Sequence, residues 1–212
     1  MMKRVVYTFL LLALSLHVAA RTPMRSWIVA MPDSVMPLLT KNDRLDFIDF
    51  YDAKMAAVVT NRMEGKSRMD TLTADFVRFA YTPSTEVEMK LLPVNDSTDV
   101  LCMVTTMKAA VHDSRIAFFD EAWQPLKVSD YMDEPCIEDF RSNPHQGDSA
   151  QRAWKKIDIF FRTYHLCAEE ATLKCVLTAL DYLAKEDREE VEPYVRQVLN
   201  YRWTNGRLVC DE

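Results

Sequence analysis

The chain has 212 residues, of which 49% are hydrophobic and 27% are charged, and its formal net charge at pH 7 is −6. This composition can build a buried core, and the length allows one large domain or two small ones. The dispersed acidic charge argues against a nucleic-acid partner and against an anionic membrane surface, because both are bound through clustered Lys and Arg.

Residues 1–20 have the layout of a secretory signal peptide. Lys3 and Arg4 precede an apolar run over residues 5–16, and small side chains lead up to a cleavage site after Ala20. The apolar run is too short to span a bilayer comfortably, and no later run is long enough. The alternative for this segment is a buried N-terminal helix. The sequence predicts an exported protein, periplasmic or extracellular, with no membrane span.

The first element after this leader is predicted to be a helix. Thr40 is a good N-cap, and Asp43 lies in the first turn, where a carboxylate suits the helix dipole. Apolar side chains then recur with a period of 3.6 and share one broad face: Leu45, Phe47, Ile48, Tyr51, Met55, Val58 and Val59. Three aspartates lie along the opposite edge: Asp46, Asp49 and Asp52. The pattern predicts an amphipathic helix that covers one face of a sheet.

In the remainder of residues 21–130 the apolar side chains recur with a period of two. Four segments fit short strands: "DFVRFAYTP", "TEVEMKLLP", "DVLCMVTTM" and "SRIAFFD". In the second segment Val87, Met89 and Leu91 alternate with charged side chains, whereas the third segment is apolar on both faces, as is typical of an interior strand. Short strands separated by polar turns predict a four-stranded antiparallel meander.

The second half begins with a break in this pattern. Residues 131–156 contain Pro135, Pro144 and Gly147 with mixed charges, which predicts a connector with one helical turn. Residues 157–212 then fit a ββαββ order: strands in "IDIFFRTYHL" and "ATLKCVLTAL", a charged helix in "KEDREEVEPYVRQ", and a closing hairpin in "VLNYRWTNGRLVC". The fold class is therefore α+β with antiparallel sheet, both halves packed as one globular unit.

The closing hairpin has the most specific local pattern. The Asn205-Gly206 pair between two β-rich runs is typical of a type I′ turn, which pairs Trp203 with Leu208. The same register gives three further pairs: Tyr201 with Cys210, Arg202 with Val209, and Thr204 with Arg207.

The cysteines give no redox or zinc signature. There are five: Cys102, Cys136, Cys167, Cys175 and Cys210. No pair has CxxC spacing, and the odd count leaves at least one thiol unpaired or bonded between molecules. We expect small buried side chains with at most one or two disulfides.

Catalytic signatures are equally sparse. Outside the leader the histidines are His112, His145 and His165. Cys102 with His112, or Cys136 with His145, could form a nucleophilic dyad, but a packed cysteine and a surface histidine are the favoured interpretation. The three glycines are not clustered, which disfavours a phosphate cradle. Paired carboxylates for glycoside hydrolysis cannot be picked from 32 acidic residues.

Two further groups of residues have two interpretations each. Asp46, Asp49 and Asp52 lie on adjacent helical turns and could ligate calcium, yet they lack the carbonyls and glycine of a calcium loop, so a solvated edge is favoured. The aromatic residues could form a binding platform or a core, and a core is favoured. These aromatics are Trp123, Tyr194, Tyr201 and Trp203. No catalytic, cofactor-binding or metal-ligating residue is assigned, and no cofactor is expected.

Several segments together resemble one bacterial family. The segments "PLLTKNDRLDFIDFYDAKM", "VEMKLLP", "DSRIAFFDEAWQPL" and "YRWTNG" are similar to exported Bacteroidales proteins grouped as domain of unknown function 3256. The resemblance extends from about Met31 to the end of the chain. It implies an exported protein of a diderm bacterium with no assigned activity, and it implies no catalytic residue.

Two functions are consistent with these patterns. The first is a non-catalytic exported module that binds a protein or peptide partner or assists envelope assembly. The second is a hydrolase that uses dispersed carboxylates or a Cys–His pair. An enzyme should bring Cys102 or Cys136 within hydrogen-bond reach of a histidine, or place two acids across a deep pocket. A binding module should instead present a shallow groove or an exposed patch.

Overall fold

The computed structural model describes residues 21–142 and 147–211, which contain two antiparallel sheets. The first sheet has seven strands in chain order: β1 (Val58–Thr60), β2 (Lys66–Leu72), β3 (Phe76–Thr82), β4 (Thr85–Pro93), β5 (Asp99–Lys108), β6 (His112–Phe119) and β7 (Pro125–Leu126). The second sheet has the order β11-β10-β9-β8: β8 (Arg162–Leu166), β9 (Thr172–Leu177), β10 (Val198–Thr204) and β11 (Arg207–Cys210). The predicted α+β class with antiparallel sheet is confirmed.

The four strands predicted for the first half are β3 to β6, and three more strands extend their sheet. The pattern of β2 is weak because only Met69 and Leu72 are large apolar residues among polar neighbours. A shift of register between Met69 and Thr71 interrupts its pairing with β3. This irregularity removes the strict period of two, which is why periodicity did not reveal the strand. β5 lies between β4 and β6, as its two apolar faces predicted.

Two helices cover one face of the first sheet: α1 (Met24–Ala30) and α2 (Lys41–Asp52). The Thr40 hydroxyl accepts a hydrogen bond from the Asp43 backbone N–H at 3.1 Å, and the Asp43 carboxylate accepts one from the Thr40 N–H at 2.7 Å. This capping box satisfies two backbone donors at the start of α2. The predicted N-cap is therefore confirmed, whereas α1 was not predicted.

The predicted apolar face of α2 is wrong at its end. The helix stops at Asp52, and the chain reverses through Lys54, whose φ of 56° is left-handed. Met55 then lies in the loop with 62% of its surface exposed, and Val58 begins β1. Tertiary contacts decided this boundary, because the helical period in the sequence continues past it.

Arg44 is buried on α2, although the sequence placed Leu45 and not Arg44 on the buried face of this helix. Arg44 is 2% exposed, whereas Leu45 is 38% exposed. The Arg44 guanidinium donates to the carbonyls of Met31 at 2.6 Å and Leu39 at 2.7 Å, and it pairs with Asp33 at 3.0 Å. These hydrogen bonds satisfy two backbone carbonyl groups in the segment between α1 and α2. A buried charge is tolerated only with such partners, so Arg44 fixes how the two helices join.

The segment predicted as a connector is packed into the core. It contains a 3-10 turn (Ile137–Phe140) and helix α3 (Asp148–Trp154), and α4 (Lys185–Val191) follows later in the chain. Met132, Phe140 and Trp154 are buried. These residues close the space beside the second sheet, so the segment joins the two halves through side-chain packing as well as through the chain.

The first sheet is covered on both faces. One face packs on α1 and α2 through Val77, Phe79, Val87, Met89 and Leu101. The other face packs on the second sheet and its helices through Val100, Cys102, Val104, Ile116 and Phe118. Because each strand alternates between faces, these two cores use opposite sets of side chains. Both halves of the chain therefore contribute to the core between the sheets.

The charged face of β4 lies inside this interface. Glu88 and Lys90 are 3% and 2% exposed. A Glu88 carboxylate oxygen accepts the Leu166 backbone N–H at 2.8 Å, and Lys90 Nζ donates to the Ala168 carbonyl at 2.8 Å. Lys90 also pairs with Asp75 at 2.9 Å. The alternation predicted in β4 is present, but its polar side binds the second half of the chain.

Two more hydrogen bonds join the sheets at their margins. The Asp113 carboxylate accepts the Arg162 backbone N–H at 3.2 Å. Trp203 Nε1 donates to the Pro93 carbonyl at 2.7 Å. Arg162 and Leu166 both belong to β8, the edge strand that lies against β4, β5 and β6. Carboxylates from the first sheet thus accept N–H groups that this edge would otherwise leave unpaired.

The predicted hairpin register is confirmed in every pair. Trp203 lies opposite Leu208, and Asn205 and Gly206 have φ values of 51° and 79°. The other three predicted pairs are also present: Tyr201 with Cys210, Arg202 with Val209, and Thr204 with Arg207.

Replacing Gly206 with Val should lower the free energy of unfolding by about 1 kcal/mol or more, because a β-branched residue resists positive φ. No atom lies within 4 Å of a Cβ built there, so the cost would be backbone strain. Gly206→Asn is the matched control, since Asn tolerates the left-handed region. Urea unfolding of both variants would measure the difference, and equal losses would contradict the strain account.

Glu88 offers a test of the joint between the sheets. Glu88→Ala should lower the free energy of unfolding by about 1–3 kcal/mol, because the buried Leu166 N–H loses its acceptor. Glu88→Gln keeps an acceptor oxygen and should lose less. Urea unfolding of both variants at neutral pH provides the comparison.

The same variants should differ in pH dependence. Burial raises the pKa of Glu88 above its ordinary 4.5, against the lowering effects of the Leu166 N–H and Arg78. The unfolded chain releases this proton first as pH rises. Its stabilising contribution is therefore complete below the unfolded pKa and is lost as pH rises through the folded pKa. The stability of wild type minus that of Glu88→Gln should therefore fall as pH rises from the ordinary glutamate pKa of 4.5 through the higher pKa of the folded state. Parallel curves would contradict the assignment.

Candidate functional site

The first Cys–His pair suggested by the sequence is not a dyad. Cys102 is fully buried in the middle of β5, and His112 begins β6 opposite Lys108. Cys102 and Lys108 are six positions apart, which corresponds to roughly 20 Å of extended strand. Burial raises the pKa of the Cys102 thiol far above its ordinary 9.0, and the Glu88 charge adds to this effect. Cys102 is a packing residue.

Of the second suggested pair, Cys136 and His145, only Cys136 lies within the described residues. Cys136 is exposed before the 3-10 turn, where its backbone N–H donates to the Asp139 carboxylate at 2.7 Å. Its suggested partner, His145, lies outside the described residues. All five cysteines are free thiols in the structure. Cys102 and Cys175 are buried, as expected of small packing side chains.

The three aspartates of α2 lie on its surface. Asp46 and Asp49 are exposed, and Asp52 pairs with Arg25 at 2.6 Å. The described residues hold no group of three or more His, Cys, Asp or Glu side chains arranged to bind a metal ion. The same residues contain no helix long and apolar enough to cross a membrane.

The aromatic residues considered as a platform are used in packing. Trp123 and Tyr201 are 4% and 3% exposed. Trp203 is half-buried, with its indole N–H bound to Pro93, and its ring lies 6.3 Å from that of Tyr131. Tyr194 packs at the margin of the core between the sheets. These side chains belong to the core.

The outward face of the second sheet carries a groove that combines exposed polar side chains with a regular arrangement. The inward side chains of β8 to β11, such as Tyr164 and Leu199, are buried against the first sheet. On the outward face His165, Lys174, Asn200 and Arg202 are exposed and line a groove of about 620 Å³, whereas Thr163 is buried. The polar residues of the groove are His165, Cys167, Glu170, Thr172, Lys174, Asn200, Arg202 and Asp211.

Strand register places these residues in rows. His165 on β8 lies opposite Lys174 on β9, and Lys174 lies opposite Asn200 on β10. Neighbouring strands are about 4.8 Å apart, so this row is roughly 10 Å long. Arg202 lies opposite Thr172 in the next row. A regular row of exposed donors across three strands is an arrangement that can hold an extended chain.

The ionisable groups at the centre of the groove differ from those at its rim. Burial on one side lowers the pKa of His165 below its ordinary 6.5; the Glu86 charge opposes this, while Lys174 adds to it. The His165 ring is therefore mainly uncharged at neutral pH, and its Nε2 lies 3.2 Å from the Thr163 hydroxyl. Glu170 and Asp211, at the rim, are both exposed. A catalytic carboxylic acid usually lies in a buried environment, which neither of these acids has.

Sequence reasoning did not find this row. The alternation in "ATLKCVLTAL" already placed Lys174 on the face opposite Leu173 and Cys175, and the hairpin register placed Arg202 on the outward face. The sequence did not predict how β8 pairs with β9 or how β9 pairs with β10. No turn of fixed type joins β9 to β10, since α4 lies between them, so only the folded structure sets that register.

The family model of the Protein of unknown function (DUF3256) matches residues 15–208, and the chain belongs to this family. A solved structure described as a domain of an uncharacterized protein from Porphyromonas gingivalis W83 is similar to it, with 30% sequence identity and a TM-score of 0.78. The similarity covers 89% of this chain and 97% of that chain. No curated protein matches. The resemblance stated from the sequence segments is confirmed, and the organism of the neighbour is consistent with the Bacteroidales.

Proposed function

We propose that the protein is an exported, non-catalytic binding module that holds an extended segment of a protein or peptide partner on the outward face of its second sheet. The observation that carries this proposal is the uncovered groove over β8, β9 and β10, with its row of exposed donors. Sheets with one uncovered face usually present polar side chains there, but a concave surface with convergent donors suits a ligand.

The placement of the nucleophiles supports a role without catalysis. Cys102 is buried in a strand, and the groove thiol, Cys167, lies 3.4 Å from the Glu169 carboxylate. A hydrolase would need a base within reach of a nucleophile or a buried acid opposite a second carboxylate. The exposed rim acids Glu170 and Asp211 do not have that environment.

Export is the other part of the proposal, and it is supported by the leader pattern of residues 1–20. Protein recovered from its native host should begin at Arg21. Intact mass spectrometry would show the loss of residues 1–20, and a mass that includes them would contradict export through this leader.

Site-specific photocrosslinking tests the binding role. A benzophenone amino acid in place of Asn200, at the centre of the groove, should give a discrete adduct when the protein is produced in its native host. The same amino acid in place of Glu189 on α4 is the matched control, because the Glu189 side chain is 66% exposed and lies outside the groove.

An excess of unmodified protein should compete the Asn200 adduct away, because it occupies the same partner. Adducts of equal yield at both positions, or no adduct at Asn200, would contradict a binding role for this face. Mass spectrometry of the adduct would identify the crosslinked segment.

A further inference from the structure

The charged residues at the outward strand positions of the second sheet are all positive. By strand alternation they are Thr163, His165, Thr172, Lys174, Val176, Val198, Asn200, Arg202, Thr204, Arg207 and Val209. These positions carry three permanent positive charges, one histidine and no carboxylate; the carboxylates of Glu170 and Asp211 lie at the rim of the groove. The whole chain has a net charge of −6, so this face departs from the composition of the rest.

Two of the three cations are available to a ligand. Arg207 is already used, because its guanidinium donates to the Ser129 and Asp130 carbonyls at 2.9 and 3.0 Å. Lys174 has no carboxylate within 4.0 Å among residues 21–142 and 147–211, and Arg202 meets only Asp211, at 3.8 Å. An exposed ion pair of that length contributes little, so a ligand carboxylate can replace it at small cost.

The spacing of these two cations matches an extended peptide. Lys174 lies opposite Asn200, and Arg202 is two residues further along β10. Diagonal neighbours of this kind are separated by about 7–8 Å. In an extended peptide, side chains two residues apart point to the same side and are about 6.6 Å apart. Two acidic residues at alternate positions would therefore reach Lys174 and Arg202 together, with the Asn200 amide beside them.

We infer that the partner segment is an extended acidic peptide with carboxylates at alternate positions, bound by Lys174 and Arg202. This inference rests on the proposed binding function and adds the chemistry of the occupant. Each carboxylate would form a charge-assisted hydrogen bond with one of the two cations, and the bidentate geometry of Arg202 suits a carboxylate in particular.

Fluorescence anisotropy with three labelled peptides tests the inference on the chain that lacks residues 1–20. The first peptide alternates Glu and Thr. The second has the same composition with pairs of Glu separated by pairs of Thr, so that no two Glu residues are two positions apart. The third alternates Gln and Thr. The first should bind most tightly, the third should bind at least about tenfold more weakly, and high salt should weaken the first.

Lys174→Gln and Arg202→Gln should each weaken the first peptide by about tenfold. Lys155→Gln and Lys185→Gln are the matched controls and should leave binding unchanged, since Lys155 directly follows α3, Lys185 begins α4, and both are exposed away from the groove. All four substitutions are at the surface, and their unfolding midpoints should stay near that of wild type. Equal binding of the three peptides, or equal effects of the test and control variants, would overturn the inference.

The outcomes separate this inference from the proposed function. An Asn200 crosslink to a partner, together with no preference for the alternating acidic peptide, would overturn the acidic occupant and leave the binding role intact. No Asn200 crosslink would contradict the binding role itself. Binding to phosphatidylglycerol vesicles that is lost in Lys174→Gln, without binding to the acidic peptide, would overturn the peptide in favour of an anionic lipid surface.

Discussion

The hydrogen bond from the Leu166 backbone N–H to the buried Glu88 carboxylate is the interaction on which the arrangement of the two sheets depends. Strand β8 is the edge of the second sheet, and it is pressed against the face of the first, where no strand can pair with it. Each buried N–H left without an acceptor would cost about 1–3 kcal/mol. Glu88, with Asp113 at the Arg162 N–H, removes that cost and fixes where β8 can lie.

This joint explains why the chain buries charges that usually lie at a surface. A buried carboxylate or ammonium group is stable only when it is paired and hydrogen-bonded. Glu88 has the Leu166 N–H and Arg78, while Lys90 has Asp75 and the Ala168 carbonyl. These bonds are directional, whereas the apolar contacts around them are not, so they select one placement of the second sheet over others that bury similar area.

The same joint leaves the candidate site open. The second sheet uses its inward face for the core and its β8 edge for the first sheet, and within residues 21–142 and 147–211 the outward side chains of His165, Lys174, Asn200 and Arg202 stay exposed. Lys174 and Arg202 lie near the centre of the groove on this open face, while the carboxylates of Glu170 and Asp211 lie at its rim.

The sequence by itself determined the features that depend on neighbouring residues. The Thr40 cap, strands β3 to β6 and the register around Gly206 follow from capping, alternation and turn geometry, which act over a few residues. Tertiary structure decided the burial of Glu88 and Arg44, the early end of α2, and the row formed by Lys174 and its neighbours. Periodicity shows which side chains share a face, but only packing between distant segments determines what covers that face.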